Sequence, residues 1–383
     1  SFTLAVTLLE MVNSTIVDGG SGSYKIQVTS SDDILLTNST IDLECSSDCG
    51  ETFTIDWDTT GDIILIDSKI EVTQYRTAKM EFEAGNISLT NSTLHAGTKY
   101  TSYSSTTVDS DIIFRADSLS LDNSTVTSRS EQTSNHNSNS YTRKAYSDLT
   151  VEVETLEMEN STLLSQGLNN GGHGNNRNAY INLEITAGNI TVTDSTIESE
   201  RTTSYGTETM DIDTEYLKMV SSTFEAATTT VSVDDNGNQT INIDDSTITG
   251  SLSVDNEAFY ITDSSITSSI TVSADNITII NDTSISGFVT ASGDYLLLDD
   301  STLGSTLSAT VNEVNLNNSS ISSSATISSG TWLNITGMTF SSSLTTTSDY
   351  VNVTDSSVSS NAQFTSDYVR LYDSEIHGTL YGT

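Results

Sequence analysis

Asparagine side chains recur along this chain in a setting that favours covalent modification. Many are followed by any residue and then by Ser or Thr, which is the acceptor pattern for N-glycosylation, and the chain has no proline that would block it. A polar turn motif written Asn-Ser-Thr creates the same pattern without any glycan, so both interpretations stay open. The glycosylation candidates are Asn13, Asn38, Asn86, Asn91, Asn123, Asn160, Asn189, Asn238, Asn276, Asn281, Asn318, Asn334 and Asn352.

Aspartates occupy the same motif in much of the C-terminal half, for example Asp245, Asp263, Asp282 and Asp300. If successive motifs stack, these carboxylates form a ladder in which neighbours about 5 Å apart repel by roughly 0.8 kcal/mol in water. Bound cations would relieve that repulsion. The glycine-rich nonapeptide of calcium-binding β-rolls is missing. We therefore expect no cofactor, with Ca²⁺ or other cations on the acidic corners as the alternative.

Catalytic chemistry has little support in the residue pattern. Adjacent aspartates such as Asp234 and Asp235 would point to opposite faces of a strand, so they would not converge on one substrate. Gly-His-Gly around His173 resembles one motif of polygalacturonase-type hydrolases, but the Asn-Thr-Asp and Arg-Ile-Lys motifs of that family are absent. The four histidines show no metal-ligand spacing. We predict no catalytic residue, no metal site of defined ligands and no enzyme activity.

The two cysteines, Cys45 and Cys49, lie in Glu-Cys-Ser-Ser-Asp-Cys-Gly. We predict a small disulfide across one corner, which requires an oxidising compartment. Half of a zinc site is the alternative, although no second Cys or His pair completes it.

Charge and hydropathy indicate an exported protein. With 13 basic and 52 acidic residues, the net charge is −39, which excludes nucleic acid as a partner because phosphate binding needs a basic surface. No apolar run is long enough to span a membrane. Ser1 looks like the first residue of a chain whose signal sequence has been removed. We expect an extracellular or cell-surface location.

The elements that position these residues follow from a repeat. Relative to the Asn or Asp of the motif, which we call the anchor, the residues two before and three after it are apolar in all sixteen copies. The residue four before is apolar in all but one, where Thr278 stands. This spacing predicts a strand with one buried face, a polar corner and a further inward residue. The anchors are Asn13, Asn38, Asp67, Asn91, Asn123, Asn160, Asp194, Ser221, Asp245, Asp263, Asp282, Asp300, Asn318, Gly337, Asp355 and Asp373.

Stacking identical coils buries faces that one coil alone cannot bury. We therefore predict an all-β fold, a single right-handed parallel β-helix of about 16 coils over residues 1–383. Handedness follows from the preference for right-handed parallel crossovers. Coils of 18–19 residues form a regular half, 221–383, and longer coils with Tyr-, Lys- and Arg-bearing insertions form the other half, 1–220.

Two surfaces are candidates for contact with other molecules. The long-coil insertions are rich in tyrosine, and their stacking would create one flank, for which we name Tyr75, Tyr103, Tyr141 and Tyr205. Extra strands that only widen the solenoid would explain the same insertions.

The second candidate surface is the pair of terminal coils. Phe2, Leu4 and Val6 already alternate as a strand, and Ile376 and Leu380 follow the last anchor without a capping helix. Such ends favour head-to-tail stacking, and truncation of a longer natural protein would produce the same ends.

The repeat Asn-Ile-Thr-Val-Thr-Asp-Ser-Thr-Ile, which begins at Asn189, resembles the right-handed parallel β-helix stalks of microbial cell-surface proteins, including adhesins, pectate-lyase-like proteins and archaeal surface-layer proteins. The resemblance covers nearly the whole chain and implies a surface role without a particular chemistry. We expect a structural homopolymer whose partners are further copies of itself and N-linked glycans. The alternative is an adhesin or glycan-binding protein that uses the long-coil flank.

Overall fold

The computed structural model describes residues 2–18, 24–45, 52–101, 106–133, 143–169, 177–202, 205–234 and 240–382. These residues form 37 β-strands and no helix. Every strand pair with an assigned register is parallel. The prediction of an all-β parallel solenoid is confirmed, whereas its handedness and coil number stay predictions.

The N-terminal strands are β1 Phe2–Val6, β2 Leu9–Val12, β3 Thr15–Asp18, β4 Tyr24–Ser30, β5 Ile34–Thr37, β6 Thr40–Glu44, β7 Thr52–Thr59, β8 Ile63–Ile66 and β9 Lys69–Gln74. Longer strands follow: β10 Thr77–Thr90, β11 Thr93–Thr101, β12 Thr106–Asp122, β13 Thr125–Thr133, β14 Arg143–Glu159, β15 Thr162–Asn169, β16 Arg177–Thr193, β17 Thr196–Arg201, β18 Gly206–Val220 and β19 Thr223–Asp234.

The C-terminal strands are β20 Thr240–Asp244, β21 Thr247–Thr262, β22 Ser265–Ile266, β23 Ile270–Ile280, β24 Ser284–Ile285, β25 Val289–Asp299, β26 Thr302–Leu303, β27 Leu307–Asn317, β28 Ser320–Ile321, β29 Ala325–Thr336, β30 Thr339–Phe340, β31 Leu344–Thr347, β32 Tyr350–Thr354, β33 Ser357–Val358, β34 Ala362–Thr365, β35 Tyr368–Tyr372, β36 Glu375–Ile376 and β37 Leu380–Gly382.

The chain divides into two compact units, residues 1–212 with 223–228 and residues 213–222 with 229–383. In the first unit, three series of parallel pairings run from coil to coil. One joins β1, β4, β7 and the first halves of β10, β12, β14 and β16; a second joins β2, β5, β8 and the second halves of those long strands. The third joins β3, β6, β9, β11, β13, β15 and β17.

The second unit repeats this plan in shorter coils. Two-residue strands form one series from β22 through β24, β26, β28, β30 and β33 to β36. The other two series pass through β21, β23, β25, β27 and β29, after which separate strands continue each of them. Each coil therefore contributes one strand segment to each of the three series of parallel pairings, and all of the described strands belong to one continuous sheet.

The interior holds the apolar positions of the repeat. In the second unit, Ile243, Ile261 and Leu316, each two before its anchor, are at most 1% exposed. In the first unit Trp57 packs edge to face against Phe82, which stacks on Phe114, with ring centroids 5.5 Å apart in both pairs. Burial of large side chains at equivalent positions of successive coils supplies the main favourable free energy of folding.

The corners share one backbone conformation. All sixteen anchors have positive φ, between 44° and 54° for the Asn, Asp and Ser anchors and 65° for Gly337. This left-handed conformation is sterically costly for most side chains, but Asn, Asp and Gly adopt it readily. The composition of the anchors is thus a consequence of backbone conformation, with Ser221 the one departure.

The copy around Asp282 differs from the prediction. Asn281 and Asp282 both have positive φ, so that corner contains one extra residue. As a result Ile277 and Ile279 point inward and are at most 1% exposed, whereas Ile280 lies at the partly exposed corner edge. The inward positions predicted by counting back from Asp282 were therefore wrong by one residue. Thr278 lies between the inward-facing Ile277 and Ile279 and does not interrupt the apolar interior.

Candidate functional site

The corners form an exposed polar edge on each unit. In the first unit the Asn38 Nδ2 donates to Asn13 Oδ1 at 2.6 Å, and the Asn123 Nδ2 donates to Asn91 Oδ1 at 2.5 Å. These amides lie one above another because successive anchors are aligned by the strand register on both sides. The edge presents exposed asparagine side chains, and N-glycosylation requires an accessible asparagine.

The predicted glycosylation sites fall into two classes. Asn334 and Asn352 lie within strands and are partly buried, and the Asn334 Nδ2 donates to Asn315 Oδ1 at 3.0 Å. Asn238 lies outside the described residues. The other ten side chains are exposed, and they belong to Asn13, Asn38, Asn86, Asn91, Asn123, Asn160, Asn189, Asn276, Asn281 and Asn318. Exposure therefore separates ten accessible asparagines from Asn334 and Asn352, which are partly buried within strands.

Beneath the anchors runs a ladder of buried hydroxyl groups that the sequence reasoning missed. The residue after each anchor is nearly always Ser, and its Oγ accepts a hydrogen bond from the equivalent backbone N–H of the preceding coil. The Ser39 N–H donates to Ser68 Oγ at 3.1 Å, and the Ser68 N–H donates to Ser92 Oγ at 3.1 Å. The Ser68 hydroxyl in turn donates to the Ile66 carbonyl at 2.8 Å. The recurrence of Ser directly after the anchor is the sequence feature that could have predicted this ladder.

Three carboxylates converge on the outer face of the first unit. Asp109 and Asp111 are two residues apart on β12 and so face the same side, and the parallel register places Asp148 of β14 beside Asp111. One oxygen atom from each of the three lies within 4.8 Å of the others. Lys79 of β10 lies opposite Asp111 on the other neighbouring strand. The cluster was not foreseen, because it joins residues from separate coils.

Burial is the main cause of the raised pKa values of these three carboxyl groups. It raises the pKa of Asp111 to about 7, with a further increase from the charges of Asp109 and Asp148, while the Lys79 charge opposes the shift. Burial, with the charges of Asp109 and Glu184, raises the pKa of Asp148 to about 6. Burial also raises the pKa of Asp109. Near neutral pH, the cluster therefore carries less negative charge than three free carboxylates would.

Carboxylate oxygens are the ligands that Ca²⁺ and Mg²⁺ prefer. Within the part of the chain that the structure describes, Asp109, Asp111 and Asp148 are the only group of three or more His, Cys, Asp or Glu side chains close enough to hold a metal ion together. They lie on a strand face, not on the corners named from the sequence. The expectation of cations on the acidic corners stays a prediction.

The four tyrosines predicted for the lateral flank have different environments. Tyr75 is partly buried and packs against Tyr100, with ring centroids 4.3 Å apart, beside the core cluster that contains Val108. Tyr205 is 47% exposed. Tyr103 and Tyr141 lie outside the described residues. Of the two described side chains, only that of Tyr205 offers a largely open surface.

A different aromatic pair lies on the same unit. The rings of Tyr146 and Tyr180 stack with centroids 4.9 Å apart and planes inclined by 13°. The Lys144 Nζ lies 5.9 Å from the Tyr146 centroid and 5.7 Å from the Tyr180 centroid, and the Asn178 Nδ2 donates to the Tyr180 hydroxyl at 2.8 Å. The stacked rings offer an aromatic surface to the apolar face of a ligand, and the neighbouring ammonium and amide offer hydrogen-bond donors to its polar groups.

The terminal coils expose side chains whose counterparts are buried elsewhere. Val369 and Leu371 are 38% and 40% exposed, whereas the equivalent Val351 and Val353 of the preceding coil are 0% and 2% exposed. Leu380 is 52% exposed. Of the other residues named for end-to-end contact, Leu4, Val6 and Ile376 are partly exposed, and Phe2 forms part of β1.

Cys45 is disulfide-bonded. Cys49, the only other cysteine of the chain, lies outside the described residues, as does His173. No described helix is long and apolar enough to cross a membrane.

Comparison with known proteins adds no relative: no protein family, no curated protein and no solved structure matches the chain. The resemblance to microbial surface stalks therefore stays a prediction from the repeat.

Proposed function

We propose that this chain is an extracellular structural protein, the subunit of a cell-surface filament, sheath or lattice that assembles by stacking copies end to end. The observation that carries the proposal is the parallel register that repeats from coil to coil, in which interior side chains such as Val351 and Val353 are covered by the following coil. An open strand edge with apolar side chains on its inward face is a template for another strand. Its closest complement in shape is another coil of the same repeat.

The exposed polar corners support the same proposal. A structural protein outside the cell needs a hydrated surface that does not aggregate laterally, and the net charge of −39 disfavours side-by-side association of identical copies. Glycans on the exposed corner asparagines would add to that barrier. End-to-end contact would then be the favoured mode of association.

The proposal is tested by sedimentation velocity and negative-stain electron microscopy of the purified chain over a range of protein concentrations and salt concentrations. We expect linear polymers that grow with concentration, with added salt screening the acidic repulsion. Monomers under every condition would refute assembly by this chain. Parallel samples with CaCl₂ and with EDTA test whether cations on the acidic residues contribute.

A second candidate function is binding of a surface glycan, and the Tyr146–Tyr180 stack with Lys144 is the observation that favours it. Tyr180→Ala removes one ring from the stack, and Tyr260→Ala, which removes an exposed tyrosine of the other unit, is the control. Adhesion of the purified protein to glycan arrays or cells should fall only for the first variant. Equal binding by both variants and the parent would exclude this surface.

A further inference from the structure

Two exposed aromatic rings lie side by side on the outer face of the second unit. Trp332 is 49% exposed and Tyr350 is 44% exposed, although each lies in a coil that has a further coil on both sides. Their rings stack with centroids 4.5 Å apart and planes inclined by 14°. The other tryptophan of the chain, Trp57, is 1% exposed. Exposed apolar surface of this kind marks sites of interaction with other molecules.

A row of amides runs beside the two rings. Asn334 lies two residues after Trp332 on β29 and therefore on the same face. The register pairs Asn334 with Asn315 on one side and with Asn352 on the other. The Asn334 Nδ2 donates to Asn315 Oδ1 at 3.0 Å, and the Asn315 Nδ2 donates to Glu313 Oε1 at 3.2 Å. These hydrogen bonds orient the row, and each amide keeps a second N–H for another partner.

Glu313 borders Trp332 on the side away from Tyr350. The register places Glu313 and Tyr350 on the two strands that flank the strand of Trp332. The Glu313 side chain is exposed, and its hydrogen bond with Asn315 turns the carboxylate toward the amide row. Trp332 therefore has an aromatic neighbour on one side and a hydrogen-bond acceptor on the other.

The strand that carries Trp332 contains an irregularity directly before it. Among the described strand pairs with an assigned register, only β27 with β29 shows a register shift. The shift lies between Val311 and Glu313 of β27, opposite which β29 holds one extra residue before Trp332. The Thr331 Oγ1 donates to the Asn312 carbonyl at 3.0 Å and fastens this bulge to the preceding coil. β-Bulges are common beside binding sites, where they orient a side chain.

We propose that these side chains form a binding platform for a neutral polysaccharide. The platform consists of Glu313, Asn315, Trp332, Asn334 and Tyr350. The C–H groups of a hexose ring pack against aromatic rings, whose faces carry negative partial charge, and its hydroxyl groups form hydrogen bonds with amides and carboxylates. The platform spans three coils, roughly 10 Å at the strand spacing of a sheet, so more than one sugar unit contacts it.

Charge selects the class of polysaccharide. The five platform side chains include one carboxylate and no base, and the chain has a net charge of −39, so uronate or sulfated polymers are repelled. Arg370, in the same row as the amides, lies two coils beyond Asn334. A purely apolar occupant would cover the amides and the carboxylate without giving them hydrogen-bond partners, which is costly. A neutral polymer of hydroxyl groups and C–H faces satisfies both kinds of surface.

This site is distinct from the Tyr146–Tyr180 pair, which lies on the first unit, and it does not depend on end-to-end assembly. A structural protein of the cell surface with such a platform would hold a polysaccharide of the surrounding matrix.

The two tryptophans allow binding to be measured without a label. Because Trp57 is 1% exposed, acrylamide should quench chiefly the fluorescence of Trp332. Protein from a host without N-glycosylation keeps Asn334 free of a glycan. It is titrated with dextran, mannan and hydroxyethyl cellulose as neutral polymers and with alginate as an anionic one. We expect a neutral polymer to protect Trp332 from quenching and alginate to leave quenching unchanged.

Variants assign the binding to the platform. In affinity electrophoresis through gels that contain the protecting polymer, Trp332→Ala should weaken binding about tenfold or more, because it removes the aromatic anchor. Trp332→Phe keeps a ring and should retain part of the affinity. Phe288→Ala, which removes a 59% exposed ring elsewhere on the same unit, is the matched control and should bind like the parent. Circular dichroism and unfolding midpoints check that every variant folds.

Three results would overturn the proposal. The first is that no neutral polymer binds, or that Trp332→Ala binds as well as the parent. The second is that alginate protects Trp332 as well as the neutral polymers do. The third is that quenching of Trp332 falls with protein concentration alone, which would make the platform a contact between copies of the chain. Sedimentation of the parent tests end-to-end assembly separately.

Discussion

The backbone N–H of Ser39 donates a hydrogen bond to the Oγ of Ser68, which lies on the next coil, at 3.1 Å. Ser68 is only 4% exposed, so its hydroxyl satisfies a backbone donor that water cannot reach. The same contact recurs between Ser222 and Ser246 in the second unit. The ladder explains why a small hydroxyl residue follows nearly every anchor.

Loss of that hydroxyl should be costly. We expect Ser68→Ala to lower the free energy of unfolding by about 1–3 kcal/mol, because the Ser39 N–H is left buried without a partner. Chemical denaturation followed by circular dichroism measures the effect. Ser31→Ala, at an exposed position of the same unit, is the matched control and should change stability by less than about 0.5 kcal/mol. Equal effects of the two substitutions would show that the ladder contributes nothing.

The left-handed corners should discriminate between side chains. Asn160 has φ 48° and is exposed, so its replacement changes the backbone energy more than the packing. We expect Asn160→Val to destabilise the protein by about 1–2 kcal/mol, since a β-branched residue fits this conformation poorly. Asn160→Gly should be tolerated within about 0.5 kcal/mol, because Gly adopts positive φ freely. Similar unfolding midpoints for the two variants would contradict the argument.

The carboxylate cluster should make stability depend on pH. The pKa of Asp111 is raised to about 7 in the folded protein, above the ordinary value of 3.8, so between these pH values the folded state binds more protons than the unfolded state. The free energy of unfolding therefore falls as pH rises from about 4 to about 7. The groups that face Asp111 are Asp109, Asp148 and Lys79.

Asp111→Asn should flatten this dependence and stabilise the protein at pH 8 by about 1–2 kcal/mol, a figure reduced for the partial exposure of the site. Thermal unfolding from pH 4 to pH 8 measures it. The control is Asp117→Asn, an exposed position on the same strand. If both variants follow the pH profile of the parent, burial of the cluster does not control its protonation.

Glycan occupancy should follow exposure. In a secreting eukaryotic host, we expect higher occupancy at the exposed corner residues Asn91 and Asn160 than at Asn334 and Asn352, which are partly buried. Attachment at Asn334 would also disturb the hydrogen bond from its Nδ2 to Asn315 Oδ1. Glycopeptide mass spectrometry gives occupancy at each site. Uniform occupancy would mean that the host modifies the chain before these strands pack.

The repeat determined most of the fold. An apolar residue two before and three after each anchor defines one buried face in every coil, and only stacked parallel coils bury all such faces together. For that reason the interior positions of Ile243 and Leu316 were predictable, and so was a polar corner at each anchor. The positive φ of the anchors could also have been read from their Asn, Asp and Gly composition.

The tertiary structure decided which residues of different coils meet. Coil length varies in the first unit, so sequence distance does not show that Asp148 lies beside Asp111, or that Tyr180 stacks on Tyr146. The extra corner residue at Asn281 likewise shifted the inward positions by one, and Thr278 at an expected apolar position was its mark in the pattern. Periodicity specifies the face that a side chain occupies, but the neighbours on that face depend on strand register, which is set by hydrogen bonding between whole coils.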